Sequence, residues 1–226
     1  MALGSLVSIA ASTFNRVMVV ELSLLQIIPG LLLALHYFIQ ISRPNWGFLS
    51  DKGGNRTFWI IIGVIILCLG SILACIGILL IPENYLFGLT ISIFAYTLIG
   101  IGVGASGTSL LAFLATRTDN NKKAAAATIT WIMMIFGAAF TAIFVGKIID
   151  PYSIEKLLKI VTIISLFWII TSFITLYKLE NTHQQKVLDR FEPVSITFYQ
   201  GLKQVLLEQN TRWFTIFVFL SMTAYF

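Results

Sequence analysis

Apolar positions in this chain come in long unbroken blocks rather than in the every-second-residue alternation of a half-buried strand. A helix needs about 20 apolar residues to cross a hydrocarbon core of about 30 Å. Runs of that order recur at 1–20, 24–43, 58–81, 86–115, 124–148 and 155–178. The short alternating segments of a spanning barrel do not occur. The pattern predicts six membrane-spanning helices, an all-α membrane fold. A polar stretch over 179–212 follows. A further apolar run opens at Trp213 and stops at Phe226, too short to cross a bilayer alone. The expected organisation is a six-span bundle over 1–178, a linker over 179–212 and, over 213–226, the start of a truncated seventh span belonging to a longer protein.

Inside the linker, Phe198, Leu202, Val205 and Leu206 fall at i, i+4, i+7 and i+8. That spacing gives one apolar helical face, suited either to the membrane surface or to packing beneath the bundle.

Composition agrees with the block pattern. The chain is 58% apolar and 11% charged, with mean hydropathy +0.90, whereas soluble domains average about 25% charged. The net charge of +5 raises the question of nucleic acid, but no basic cluster is interleaved with aromatics in a soluble segment, so the sequence excludes that partner. The bases mark orientation instead. Eleven of the fifteen lie in the linker or in loops after spans 2 and 4, among them Arg43, Lys52, Arg56, Arg117, Lys122 and Lys123. The opposite loops hold Arg16, Lys147, Lys156 and Lys159. By the positive-inside rule the basic loops, the linker and the N-terminus are cytoplasmic. Cys68 and Cys75 share one span, about 10 Å apart in rise, too far for a disulfide; they are expected to be packing residues.

The richest polar segment is Gly47-Phe48-Leu49-Ser50-Asp51-Lys52-Gly53-Gly54-Asn55-Arg56, read as a tight hairpin between spans 2 and 3. Gly47, Asp51, Lys52, Gly54 and Arg56 resemble the conformational signature loop between helices 2 and 3 of the major facilitator superfamily. The chemistry suits the place: Gly47 admits close helix approach, Asp51 can pair with bases or a helix N-terminus, and the glycines allow reversal. Asn55 departs from the pattern, standing where a base is common. The resemblance implies a major-facilitator-type N-terminal half of two inverted three-helix repeats, plus the start of a seventh helix.

A narrower resemblance runs along nearly the whole chain. Asn15-Arg16-Val17-Met18-Val19-Val20-Glu21-Leu22, Gly104-Ala105-Ser106-Gly107-Thr108-Ser109-Leu110-Leu111-Ala112, Trp131-Ile132-Met133-Met134-Ile135, Asp150-Pro151-Tyr152-Ser153 and the block from Phe214 to Tyr225 resemble, in order, the family of PucC, also called the bacteriochlorophyll delivery family. Asn55-Arg56-Thr57-Phe58 replaces a more basic, Pro-containing run. The resemblance implies a non-enzymatic membrane factor for assembling light-harvesting complexes, located in a bacterial inner, photosynthetic or thylakoid membrane. Its partners would be the lipid bilayer, chlorophyll-binding membrane proteins and a C-terminal half; its cargo would be chlorophyll or bacteriochlorophyll. The alternative is a secondary transporter of a small solute.

Individual residues sharpen this only in part. Gly102-Val103-Gly104-Ala105-Ser106-Gly107 fits a dinucleotide fingerprint, but it lies in an apolar span with no preceding strand, so it reads as a small-residue helix-packing face. Asn15, Arg16 and Glu21, near the outer end of span 1, are candidates for polar contact with a partner helix or pigment. Spaced i, i+5, Arg16 and Glu21 are expected to point to different helix sectors. His36 is the only histidine in a span: either an axial ligand for a chlorophyll magnesium or a hydrogen-bonded packing residue. No nucleophile–base pair, metal-ligand spacing or phosphate loop supports an enzyme. Acids lie at span ends rather than deep in the membrane, which weighs against proton-coupled transport.

Overall fold

The computed structural model describes residues 1–52, 55–176, 198–209, 211–213 and 215–217. Every element among them is helical. The chain divides into two compact units, Met1–Leu188 and Asp189–Phe226.

In the first unit the helices are α1 (Ala2–Glu21), α2 (Ile27–Ile39), α3 (Arg43–Lys52), α4 (Arg56–Leu80), α5 (Tyr85–Arg117), α6 (Lys123–Ile148) and α7 (Ile154–Leu176). In the second unit α8 (Phe198–Leu207) covers the segment read as amphipathic. Gly53, Gly54, most of the linker and the end of the seventh run lie outside the described residues.

Among the described residues five helices are long and apolar enough to span a bilayer: α1, α4, α5, α6 and α7, the last two counted over Asn120–Ile148 and Ile154–Leu176. The second expected span is not among these five. There α2 has 13 residues, about 20 Å of rise, before a 3-10 turn at Gln40–Ser42. The chain then continues into α3, so most of the segment expected to be a hairpin is helix. Pro44 falls in the first helical turn, where a missing N–H costs no hydrogen bond, and nothing from Asn45 to Lys52 breaks a helix.

The α4–α5 hairpin is the spine of the unit. Gly63, Gly70 and Gly77 recur every seven residues on α4 and face α5 at a spacing that leaves no room for a side chain. A Cβ on Gly63 would lie 2.5 Å from Ser106 N, one on Gly70 2.9 Å from Ile99 N, and one on Gly77 2.9 Å from Ser92 N. From the other side, Gly102 would meet Leu67 N at 2.5 Å and Gly88 would meet Ile81 N at 2.6 Å. The close approach puts backbone against backbone, the contact by which membrane helices gain packing without a hydrophobic driving force. Hydroxyls buried along the seam bond back to their own helices: Ser71 to Leu67 O at 2.9 Å, Ser92 to Gly88 O at 2.9 Å and Ser106 to Gly102 O at 2.5 Å.

Other helices dock on this spine. Gly100 of α5 abuts the His36 carbonyl of α2. Cys68 Sγ of α4 lies 3.4 Å from Ser165 O of α7; both cysteines are free and buried. On α1, Gly4 closes against the backbone of Met134 in α6, and Ser5 and Thr141 share a buried hydrogen bond of 2.5 Å. Tyr96 of α5 donates to Ala10 O of α1 at 3.0 Å.

Candidate functional site

The signature segment is built on α3 and the start of α4. One face of α3 seats against α5: a Cβ on Gly47 would lie 3.2 Å from Thr108 Cγ2, and one on Gly104 would lie 3.4 Å from the Trp46 indole. Trp46 Nε1 donates to Ser42 Oγ at 3.0 Å, and its ring lies 5.8 Å from that of Trp59. Ser50, fully buried, donates to Gly47 O at 2.8 Å. Asp51 Oδ1 pairs with Arg56 Nη2 at 2.6 Å. Arg56 Nη1 donates to Ala112 O at 2.9 Å and to Thr116 Oγ1. A guanidinium at the end of α5 also meets the negative end of that helix's dipole. Gly47, Asp51 and Arg56 are thus one connected clamp between α3, α4 and α5. Lys52 is exposed and Gly54 lies outside the described residues.

His36 is buried on α2, at 1% exposure. Gln40 links it to Arg43: Arg43 Nη2 donates to Gln40 Oε1, and Gln40 Nε2 lies 2.8 Å from His36 Nε2. With the amide oxygen taken by Arg43, the amide nitrogen is the donor, which assigns the neutral imidazole its proton on Nδ1. That Nδ1 is buried with no partner among the described residues. Axial ligation of a chlorophyll magnesium through Nε2 would displace Gln40, whereas Nδ1 has no partner among the described residues.

At the opposite end of the unit, α1 departs from α-helical winding. Two π-turns, Ile9–Thr13 and Val17–Glu21, interrupt it. Ser12 bonds back to Ser8 O at 2.5 Å, a side-chain competition that loosens helices, and Leu22 N reaches Val17 O at 3.0 Å. The wider π-turn overturns the expectation that Arg16 and Glu21 point to different sectors. Both line one cavity of about 160 Å³ with Ser12, Thr13, Val17, Ala142, Gly146, Ile149 and Tyr152. Asn15 is exposed and does not line it. Arg16 Nη2 pairs with Asp150 Oδ1 at 3.0 Å.

Tyr152 Oη is buried and has no hydrogen-bond partner among the described residues. Burial foremost, then the neighbouring Cys75 and Glu21, pushes its hydroxyl above the ordinary tyrosine range.

Sequence reasoning missed Asp150 and Tyr152 as members of this site. The available signal was an acid just past span 5, at the same membrane level as a base ending span 1. It also passed over Trp46 and the Gly63, Gly70 and Gly77 repeat, whose period of seven is visible in the sequence.

Comparison with known proteins matches a family profile described as PUCC protein to residues 13–226. The chain belongs to the PucC family. It is 49% identical, over all 226 of its residues, to a Rhodobacter capsulatus protein named Bacteriochlorophyll synthase 44.5 kDa chain, covering 52% of that protein. It is 25% identical over 194 residues to Protein PucC of Cereibacter sphaeroides, covering 79% of this chain and 42% of the relative. A Protein PucC of Rhodobacter capsulatus is 23% identical over 189 residues, 78% of this chain and 41% of the relative. This PucC-family chain therefore spans about half the length, or less, of the curated relatives it matches. No solved structure matches it. Its long apolar helices make it a multi-pass integral membrane protein.

Proposed function

We propose that the full-length protein is a non-enzymatic membrane factor in the assembly of chlorophyll- or bacteriochlorophyll-containing light-harvesting complexes, acting by delivering or holding pigment for antenna proteins. The observation that carries this reading is family membership across residues 13–226, together with a 49% identical relative whose name contains bacteriochlorophyll.

The architecture proposed with it is a major-facilitator-type half of two inverted three-helix repeats over 1–178, followed by a linker over 179–212 and a seventh span beginning at 213. The clamp joining Gly47, Asp51 and Arg56 to α5 supports that reading, because it ties the segment between α2 and α4 to the end of the helix that would open the second repeat. The N-terminus and the basic loops are proposed to be cytoplasmic, following the distribution of Lys and Arg.

A transporter of a small solute is the second reading, favoured by the cavity that Arg16 and Glu21 line. Purification of the full-length protein from photosynthetic membranes separates the two. The assembly reading expects antenna polypeptides or tetrapyrrole to co-purify, identified by mass spectrometry and absorbance. Clean protein that instead drives saturable solute uptake into proteoliposomes would make the transporter reading win.

A further inference from the structure

The cavity beside the second π-turn of α1 has a charge pattern that points to its own ligand. Three ionisable groups gather there. Arg16 and Asp150 neutralise each other through their 3.0 Å pair. Glu21 lines the cavity and has no hydrogen-bond or ion-pair partner among the described residues. Of the bases nearest in sequence on the packed elements, Lys159 pairs with Glu155, and Lys147 and Lys156, the latter donating to Pro151 O at 3.1 Å, keep their charge outside the lining. Arg16, Asp150 and Glu21 together therefore carry one net negative charge. Beside it sits Tyr152 Oη, buried and unpartnered, and a desolvated hydroxyl without a partner is costly. Val17, Ala142, Gly146 and Ile149 supply an apolar wall.

From this geometry we infer that the cavity formed by α1, α6 and the loop after α6 is a binding site for a primary ammonium group carrying a short apolar body, with Glu21 as counter-ion and Tyr152 as hydrogen-bond partner. A volume of about 160 Å³ sets the size, since an apolar cavity of roughly 150 Å³ holds one benzene. The ammonium comes either from a free small amine or from an aminolipid headgroup at the membrane surface. An ammonium meets both groups at once: it donates to the exposed Glu21 carboxylate and to the buried, unpartnered phenol oxygen. A carboxylate ligand would face Glu21 with like charge and would have to break the Arg16–Asp150 pair. The inference stands independently of the antenna-assembly reading.

The test is calorimetric titration of the full-length protein in phosphatidylcholine nanodiscs with n-butylammonium, using n-butyrate and n-butanol as charge controls. Saturable binding of n-butylammonium alone is expected, with affinity falling about tenfold or more in Glu21→Gln, as for loss of a hydrogen bond to a charged group. Tyr152→Phe is expected to weaken binding by a smaller factor. Adding phosphatidylethanolamine to the discs distinguishes the sources: competition assigns the site to a lipid headgroup, and undiminished binding assigns it to a free amine. Equal responses to all three probes, or no saturable response to the ammonium, would overturn the proposal even if neither variant folds. Unchanged affinity in a folded Glu21→Gln protein would do the same.

Discussion

Arg56 at the start of α4 donates to the main-chain carbonyl of Ala112 in α5, 2.9 Å away. The same guanidinium holds Asp51, so a helix start and a helix end are joined through one side chain. The two contacts differ in strength. Asp51 is 44% exposed and Arg56 22%, and a pair so open to solvent contributes about 0.2–1 kcal/mol. The carbonyl and Thr116 contacts are more protected, and losing a charged donor there costs about 1–3 kcal/mol.

Arg56→Ala is therefore expected to lower the thermal stability of the purified protein clearly, and Asp51→Asn only slightly. Unfolding midpoints of the two variants in one detergent check the order. A larger loss in Asp51→Asn would mean that the acid has a stronger partner than Arg56.

Gly102→Ala places a Cβ 2.5 Å from Leu67 N, against backbone that cannot rotate away. Overpacking of this kind costs about 1–3 kcal/mol. Gly30→Ala is the control: nothing lies within 4 Å, and alanine favours helix by about 1 kcal/mol. Gly102→Ala is expected to lose stability and Gly30→Ala to keep or gain it, read from melting of the two proteins.

A cysteine at exposed Asn45 is expected to resist membrane-impermeant thiol reagents in intact cells and to react in inverted vesicles. Cys68 and Cys75 are fully buried and give little background. Ser50 suits this purpose poorly, because it is buried in the clamp. Labelling of the Asn45 position from outside would reverse the proposed orientation.

Arg16→Ala breaks a pair whose members are 45% and 63% exposed, a loss of under about 1 kcal/mol. Membrane insertion and abundance of the full-length protein should stay near wild type, by quantitative blotting, while antenna yield falls. Unchanged antenna yield at normal abundance would remove Arg16 from the site.

Long apolar runs made the membrane class and most helix positions legible, because the bilayer sets a length that composition must meet. The same rule overran at α2, where one apolar run hides a 3-10 turn at Gln40–Ser42. It also left α3 unseen, since a polar stretch between apolar runs resembles a loop whatever its winding. Arg16 and Glu21 were identifiable as charges at a span end, but their convergence depends on a π-turn that shifts helical phase and has no residue pattern of its own. Asp150 escaped because an ion pair separated by 134 residues is a product of helix packing. His36 was legible as a histidine inside an apolar run, but its link to Arg43 through Gln40 depends on the winding at the end of α2.

The amount of assembled antenna complex in membranes of a strain lacking the full-length gene, read from pigment absorbance with and without the gene restored, tests the central claim most directly. The account predicts a fall in antenna that restoration reverses, with solute uptake unchanged. Normal antenna levels in the deletion strain, together with the loss of one uptake activity, would contradict it.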